Sequence, residues 1–564
     1  FSEFALTLAG AVVISGLVAL TLSPMMASRV LKDAEHQGRF ASWLDRRFEV
    51  LIKRYRGLLG ACLNNRGAVL LLAACLLASL PILFALAQEE LAPEEDTGGV
   101  FVVGIAPRHA NLTYSDHYLA EVVDIWKGIP EFSHSWQAIQ PDGNFGGITL
   151  FPWSERERTQ AEAQAELQAK LGQVAGMELF AFASPSLPGA DAGLPLSFVA
   201  ASTADYSEVK RVGDELLQAA RESGLFAFVT QTLQFNRPEI VVHIDRERAS
   251  RLGISMQDIG ETLAVMLGEA EVNRFTLDGR SYKVIPQAGR NFRLTREEME
   301  QYYLRTTSGE LVPLSAVVSL DTRVEPNTLT QYQQLNSTTI QGIMMPPNSL
   351  GAGLEFLEQQ LQEIAPTGFR AGYTDASRRF MQETGAFPVL FTLSLMLIFL
   401  VLAAQFNSFR DPLVVLVTVP LSIFGAIVPI ALGFATLNIY TQVGLLTLIG
   451  LISKHGILIV EFANKLAETG LDKREAVLQA ASQRLRPILM TTFATVLGVW
   501  PLVIASGAGA NSRFSIGLVI TAGMLVGTLF TLFVVPVFYL PFSKRGKRRQ
   551  QERLKAAAEA SSPA

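Results

Sequence analysis

Seven apolar segments, each long enough to cross a lipid bilayer, constrain this sequence more than any other feature. A membrane-spanning helix needs about 20 consecutive, mostly apolar residues, and hydrophobic residues make up 49% of the 564-residue chain. Charged residues are nonetheless 18% of the chain, so a large part of it must face water. We therefore predict an α-helical polytopic membrane protein with a large water-exposed region. The predicted spans are 4–24, 67–87, 385–404, 412–433, 440–463, 487–505 and 516–540.

Lysine and arginine are concentrated in three of the segments outside these spans. They are frequent in residues 25–66, in the connection between the fifth and sixth spans, and in the tail 542–564. Short segments rich in these cations stay on the cytoplasmic side of a membrane. All three are therefore predicted to be cytoplasmic, and residues 88–384 to lie outside. Phe1 would then start on the outer side, and it is not a methionine, so we expect further chain to precede it.

The outer region shows one supersecondary pattern twice. In residues 88–190 the strand VFVVGIAP is followed by an amphipathic helix, two strands separated by the turn-rich QPDGNFG, a second helix and a closing strand. This βαββαβ order is the ferredoxin-like unit. The pattern recurs in 191–236 and 326–384, interrupted by 237–325. We predict a large α+β region of two ferredoxin-like subdomains, the second of which carries an inserted module.

One cation lies inside a predicted span. Lys454 is in the middle of GLISKHGILIVEF, and a charge near the centre of a span costs a few kcal/mol unless it faces the bundle interior, water or an acidic partner. Snorkelling to the cytoplasmic face is the alternative, but apolar helix continues as far as Glu461. Glu461 is seven residues, about 10 Å, along the same helix, too far for direct pairing. Aspartate and glutamate are absent from the other predicted spans, so we expect the acidic partner outside this chain.

Several stretches closely resemble the resistance–nodulation–division (RND) superfamily of exporters. They are GLLTLIGLISKHGILIVEFANKL, RLRPILMTTFATVLGVWPLVIASGAGA and ELAPEEDTGGVFV, and FALTLAGAVVISGLVALTLSPMMASRVL is similar to the sixth span of that family. The resemblance runs essentially end to end and is to the C-terminal half of the hydrophobe/amphiphile (AcrB-like) branch. It implies span six at 1–24, span seven at 67–87, spans eight to twelve within 385–541, periplasmic porter subdomains at 88–190 and at 191–236 with 326–384, and a docking subdomain at 237–325.

The resemblance also implies a proton relay. In the family, an aspartate pair on the fourth span is joined by a lysine on the tenth and by an arginine and a threonine on the eleventh. Lys454 matches the lysine, Thr491 of ILMTT the threonine, and Arg484 of QRLRP the arginine. Two alternatives stay open: Arg484 as a topological cation near the cytoplasmic start of its span, and Thr491 as a hydroxyl bonded to a backbone carbonyl. His455 is predicted to be a packing or polar-seam residue rather than a proton carrier.

Four phenylalanines are candidate substrate contacts by the same resemblance. Drug-exporting members bind substrates among aromatic side chains of the first outer subdomain, where apolar contact tolerates variety. Phe180 and Phe182 of ELFAFASP match a family pair, and Phe145 and Phe151 lie near the segment that corresponds to a flexible loop. That loop is shorter here and has fewer phenylalanines. The alternative for all four is that they fill the cores of the ferredoxin-like subdomains.

Proton-driven export of hydrophobic and amphiphilic compounds, such as drugs, biocides and detergents, is therefore the leading prediction. The resemblance implies a proton/substrate antiporter that is a homotrimer in the inner membrane, with a periplasmic adaptor and an outer-membrane channel as partners. The alternatives are a heavy-metal exporter of the same superfamily and a non-transporting membrane scaffold or receptor.

Other classes have little support in the sequence. It contains no G-x-x-x-x-G-K-[ST], H-E-x-x-H or G-x-S-x-G motif, so neither nucleotide hydrolysis nor another enzymatic activity is predicted, and no cofactor is expected. The six histidines have no close ligand spacing, so no metal site is predicted. A net charge of -5 gives no reason to expect nucleic acid as a partner.

Overall fold

The computed structural model describes residues 2–30, 39–107, 110–140, 143–187, 193–326 and 328–542. All but the first residue of the predicted tail 542–564 lies outside the described residues, as do positions 31–38 of the predicted basic segment 25–66. The chain divides into two compact units. The helical unit comprises Phe1–Gln88, Ala386–Ala505 and Ser512–Ala564, and the mixed unit comprises Glu89–Gly385 and Ser506–Asn511.

Three helices begin the helical unit. Helix α1 (Ser2–Val30) and helix α3 (Arg66–Leu86) are apolar, whereas α2 (Arg39–Asn64) between them is amphipathic. Tyr55, Leu59 and Leu63 of α2 are buried, and their spacing of four residues places them on one helix face. The Tyr55 hydroxyl donates a hydrogen bond of 2.6 Å to the carbonyl oxygen of Leu532. The basic segment is therefore not a simple loop but contains a helix anchored to the bundle.

The mixed unit opens with a four-stranded antiparallel sheet backed by two helices, which we call the first sandwich. The strands lie in the order β2-β3-β1-β4. Its elements are β1 (Gly99–Ile105), α4 (Leu112–Lys127), β2 (Phe132–Ala138), β3 (Asn144–Leu150), α5 (Gln160–Leu171) and β4 (Glu178–Ala183).

The second sandwich has the same plan, with strands in the order β6-β14-β5-β15. Its four main strands follow the order of the first sheet, and a short fifth strand, β13, also pairs with β14. The elements of the second sandwich are β5 (Leu196–Ser202), α6 (Tyr206–Glu222) and β6 (Phe226–Gln231), then β13 (Thr330–Tyr332), β14 (Leu335–Met344), α10 (Leu350–Ile364) and β15 (Arg370–Tyr373).

An inserted module separates the two halves of the second sandwich and has its own core, which includes Ala249, Ile259 and Leu314. Its outer strands, β7 and β12, pair with each other, and β8 with β9 and β10 with β11 form two further antiparallel pairs. Its elements are β7 (Phe235–Ile244), α7 (Arg246–Arg251), α8 (Met256–Leu267), β8 (Asn273–Leu277), β9 (Arg280–Val284), α9 (Arg296–Met299), β10 (Tyr303–Arg305), β11 (Leu311–Pro313) and β12 (Val318–Pro326).

The remaining helices complete the helical unit. They are α11 (Asp375–Phe406), α12 (Asp411–Leu416), α13 (Thr418–Ala431), α14 (Ile439–Glu468), α15 (Lys473–Val503) and α16 (Ala510–Phe542). Among the described residues, seven segments are long and apolar enough to cross a membrane: six single helices, and α12 with α13 taken together. The predicted segment 412–433 thus contains a helix break at Val417, and the predicted 385–404 belongs to a helix that begins ten residues earlier, at Asp375.

Small residues bring α16 close to its neighbours. A Cβ added at Gly527 would lie 2.0 Å from the Ser422 Oγ, and one at Gly523 would lie 2.2 Å from a methyl carbon of Leu448. These glycines are four residues apart, the small-xxx-small spacing that lets membrane helices approach closely. The contacts hold α13, α14 and α16 together and so fix the surroundings of the buried face of α14.

One arginine bridges two carboxylates in the first sandwich. Arg158 donates to both oxygens of the buried Glu131, at 2.7 and 2.6 Å, and to Glu166 at 2.6 Å. The hydrogen bonds from Arg158 lower the pKa of Glu131. A carboxylate whose pKa is lowered by folding contributes stability that is fully present above its unfolded pKa, about 4.3 for glutamate, and is lost as the pH falls through the folded value.

We expect Arg158→Met to lower the free energy of unfolding by about 2 kcal/mol at pH 7, because it leaves the buried Glu131 carboxylate unpaired. The loss should shrink as the pH falls below about 4, because Glu131 of the unfolded chain takes up a proton there in both proteins and its pairing with Arg158 then contributes less to stability. Thermal unfolding of both proteins at several pH values measures the difference. Arg211→Met is the matched control, since Arg211 also bridges two glutamates but on an exposed face of α6. A difference that stays constant down to pH 3 contradicts this account.

Candidate functional site

Lys454 lies near the middle of α14 and is exposed on the surface of the helical unit. Ser453 and His455 on either side of it are buried. Successive residues of an α-helix point about 100° apart. Lys454 therefore points outward, while Ser453 and His455 point toward the edges of the packed face of α14. An uncovered cation at the centre of an apolar helix needs a partner or water beyond the described residues.

Carboxylates of the helical unit that could neutralise Lys454 are engaged elsewhere. Glu461 pairs with Lys465 at 2.7 Å. The buried Asp411 accepts a hydrogen bond of 3.4 Å from Asn464, which is ten residues, about 15 Å, from Lys454 along α14. Within the part of the chain that the structure describes, Lys454 forms no ion pair, whereas Arg56, Lys465 and Arg486 do. The expected acidic partner is not among these residues.

Thr491 lies on α15 against the residue that follows Lys454. Its Oγ1 donates a hydrogen bond of 2.9 Å to the carbonyl oxygen of Ile488, which is the backbone bond expected for many membrane threonines. The same Oγ1 lies 3.2 Å from the Nε2 of His455. The structure therefore brings Thr491 next to His455, the residue that follows Lys454 on α14.

Arg484 is half-buried and lies at a different level of the bundle. Its guanidinium carbon is 4.5 Å from the ring centroid of Phe462 on α14, a cation–π contact, and its Nε is buried without a hydrogen-bond partner among the described residues. Arg484 is seven residues, about 10 Å, from Thr491 along α15. The structure thus places Thr491 beside His455, and Arg484 seven residues from Thr491 along α15.

His455 is the centre of a buried polar seam. It is 1% exposed, and its Nδ1 lies 3.3 Å from the Oγ1 of Thr528 on α16. The Thr528 hydroxyl in turn lies 3.0 Å from that of Thr492 on α15. The seam joins three helices, in keeping with the predicted role of His455. The sequence analysis missed Thr492 and Thr528, and only the paired threonines of ILMTT gave any signal for them.

Three of the four candidate phenylalanines gather on one face of the first sandwich. Strand side chains alternate between faces, and Val100, Val102 and Ile148 pack with the helices α4 and α5 in the core of the sandwich. Phe145, Phe180 and Phe182 lie on the opposite face of the sheet and pack with Leu194, Phe228 and Ile343 of the second sandwich. They therefore do not fill the helix-backed core.

The rings on this face form a connected aromatic group. The centroid of Phe101 lies 5.4 Å from that of Phe145 and 5.9 Å from that of Phe182. Phe180 stacks on Phe228 of β6 with centroids 3.9 Å apart. Phe151 lies outside the group: it follows β3 directly and is 38% exposed, and its amide donates a hydrogen bond to the Glu131 carbonyl oxygen.

A cavity of about 480 Å³ opens beside this aromatic group. Phe145, Phe182 and Leu194 supply apolar lining, whereas the described polar lining residues are uncharged amides and hydroxyls such as Gln140, Thr230 and Gln341. A pocket of this size with aromatic walls and a few hydrogen-bonding groups is typical of small-molecule sites. This chemistry suits molecules with an apolar ring system and scattered polar groups.

Comparison with known proteins places this architecture in one family. Residues 1–543 match the AcrB/AcrD/AcrF family. The chain is 40% identical to an uncharacterized transporter of Haemophilus influenzae, over 96% of the chain and 53% of that relative. It is 31% identical to the multidrug export protein AcrF of Escherichia coli, over 96% of the chain and 54% of AcrF. It is 32% identical to the multidrug/solvent efflux pump membrane transporter MepB of Pseudomonas putida, over 98% of the chain and 54% of MepB. The chain spans about half the length of the curated relatives it matches.

Proposed function

Because the chain belongs to the AcrB/AcrD/AcrF family of RND transporters, we propose that it is part of a proton-driven exporter of hydrophobic and amphiphilic compounds. The observation that carries the proposal is Lys454, a cation at the centre of an apolar helix that is uncovered and pairs with no carboxylate of the described residues. A purely structural helix has no use for such a charge, since its insertion costs a few kcal/mol. A transporter that couples ion movement to a conformational change, in contrast, can use a charge at this position.

In this proposal Lys454 is the cationic member of a proton relay. An acidic side chain from outside these 564 residues faces the amine and pairs with it while ionised. Uptake of a proton neutralises the acid, releases the lysine and lets the helices shift, because an ion pair holds its partners only while both are charged. Thr491 supplies a hydroxyl beside the lysine, and Arg484 a permanent cation one heptad away. The energy source is the proton gradient, and the transport is antiport.

The cavity beside the first sandwich is the proposed substrate site. Phe145 and Phe182 offer ring faces to an apolar substrate, and Phe180 supports them through its stack on Phe228. The uncharged amides and hydroxyls give a substrate several alternative hydrogen bonds, which favours a broad range of compounds over one. Phe151, exposed beyond the end of β3, stays a candidate contact outside the cavity.

The proposed assembly follows the family. The chain would contribute seven spans to a homotrimer in the cell inner membrane, and both sandwiches would be periplasmic porter subdomains. The inserted module would dock to a periplasmic adaptor and an outer-membrane channel. Its β8–β9 pair supports this role, because Phe275, Leu277 and Tyr282 are all more than 40% exposed there, an unusual amount of apolar surface for a hairpin facing water.

Transport by the intact protein in liposomes tests the proposal. With a pH gradient imposed, we expect uphill movement of the fluorescent amphiphile rhodamine 6G, loss of that movement when a protonophore is added, and no effect of ATP. Transport of Zn²⁺ or Cu⁺ without the amphiphile would identify a heavy-metal exporter. Transport of neither class of compound would favour a membrane scaffold or receptor and refute the proposal.

A further inference from the structure

The residue that follows Lys454 faces the inside of the bundle and touches both neighbouring helices. His455 is 1% exposed, and each of its ring nitrogens lies within hydrogen-bond distance of a threonine hydroxyl, Thr491 on α15 and Thr528 on α16. A packing residue in an apolar bundle needs no such polar contacts. A buried imidazole between two hydroxyls therefore calls for a specific role.

The donors and acceptors of this seam fix the direction of the bond between His455 and Thr491. A threonine hydroxyl has one proton to give, and Thr491 donates its proton to the Ile488 carbonyl oxygen. The contact between Thr491 and His455 is then a bond that the Nε2–H donates to the hydroxyl oxygen. A neutral ring protonated at Nε2 has an unprotonated Nδ1, which can accept the proton of Thr528. The Nε2–H therefore donates to Thr491 whether the Thr528 proton goes to Nδ1 or to Thr492.

We propose that His455 is a positioning residue for the relay, acting through Thr491. Its Nε2–H and the Ile488 carbonyl hold the Thr491 hydroxyl from two sides, which fixes the direction of the remaining oxygen lone pair beside the lysine position. Its bond with Thr528 fixes the imidazole. This inference rests on the proposed function, because Thr491 matters for transport only if the relay exists.

The proposal predicts a defect in turnover rather than in substrate binding. The seam lies in the helical unit, whereas the aromatic cavity lies in the mixed unit. Loss of the hydrogen bond to Thr491 should slow the proton step and leave the substrate concentration at half-maximal export unchanged. Because the ring acts through its Nε2–H, a side chain that keeps an N–H donor but cannot be protonated should serve as well.

The test is transport of rhodamine 6G by variants of the intact transporter in liposomes. We expect His455→Leu to lower the maximal rate about tenfold with KM unchanged, and His455→Gln to stay within about twofold of the wild type, since its amide keeps an N–H toward Thr491. Thr531→Val is the matched control, because it removes another buried threonine hydroxyl of α16, one that bonds to the Gly527 carbonyl oxygen and not to His455. It should also stay within about twofold. If the leucine variant fails to accumulate in the membrane, His455→Phe, which keeps a planar ring of similar size, replaces it.

Three results would overturn the inference. The maximal rate of His455→Leu, or of the phenylalanine variant, could equal that of the wild type. The glutamine variant could be as slow as the leucine variant, which would mean that protonation of the ring is needed. Thr531→Val could be as slow as His455→Leu, which would indicate a general effect of buried hydroxyls on packing. Parallel measurement of Lys454→Ala separates this inference from the proposed function, because unchanged export by that variant would refute the relay itself.

Discussion

Replacement of Lys454 by alanine is expected to abolish proton-driven export by the intact transporter, with a fall in rate of at least about 100-fold. The amine is the only charge that α14 presents between its N-terminus and Glu461, so the variant has nothing on this helix with which an ionised partner could pair. Helix packing should survive, because Lys454 is exposed and fills no space between the described helices. The measurement is substrate-dependent proton flux in liposomes, together with the amount of transporter in the membrane.

Lys465→Ala is the matched control for this prediction. Lys465 is on the same helix and pairs with Glu461, but its side chain is 65% exposed in the last turn. An exposed pair of this kind contributes at most about 1 kcal/mol, so export should be unchanged. Equal loss of export in both variants would show a general effect of charge on α14, and full activity of Lys454→Ala would remove the relay.

The second large effect is expected at the cavity. Phe145→Ala should raise the KM for an aromatic amphiphile about tenfold, because the substrate loses a ring contact worth on the order of 1 kcal/mol together with buried apolar area. Phe145 is half-buried, so its truncation should cost less stability than truncation of the fully buried Phe182. Turnover at saturating substrate should be unchanged, since the residues of the proposed relay lie in the helical unit and not in the mixed unit.

Phe151→Ala provides the comparison for Phe145→Ala. It also removes a phenylalanine ring, six residues after Phe145 in the chain, but from a position outside the cavity lining. We expect a change in KM of less than about twofold. If the two variants behave alike, or if Phe145→Ala lowers the rate at saturating substrate, the cavity is not the substrate site.

Local sequence patterns account for much of this fold. The length of the apolar runs predicted where the seven segments lie. The alternation of apolar and polar residues, together with the turn residues between the runs, predicted the order of elements that the structure has in the first sandwich. Helix α2 escaped prediction because residues 25–66 are rich in charge. Its helical form depends on distant partners: Tyr55 bonds to Leu532, and Asp45 pairs with Arg486 at 2.8 Å. The composition of residues 25–66 does not reveal contacts with residues so far away in the chain.

The candidate sites likewise contain residues that the local sequence pattern predicts and residues whose role depends on distant contacts. Lys454 was visible from the sequence because a charge in an apolar run conflicts with its surroundings. The bonds of His455 join residues 36 and 73 positions apart, and no local pattern encodes which helix faces meet. Strand alternation separates the two faces of β4, but only the position of Phe228 on another sheet shows which partner Phe180 has. Phe151 was predicted only because it is near Phe145 in the sequence. It follows the last residue of β3 and does not line the cavity.

The proposed relay requires that a carboxylate balance the charge of Lys454. The distance from the Lys454 Nζ to the nearest carboxylate oxygen, in an experimental structure of the intact transporter, measures this directly. We expect an aspartate or glutamate within about 4 Å in at least one protomer, supplied by a helix outside these 564 residues. A lysine whose amine instead reaches water at the cytoplasmic surface, with no carboxylate near it in any protomer, would refute the relay.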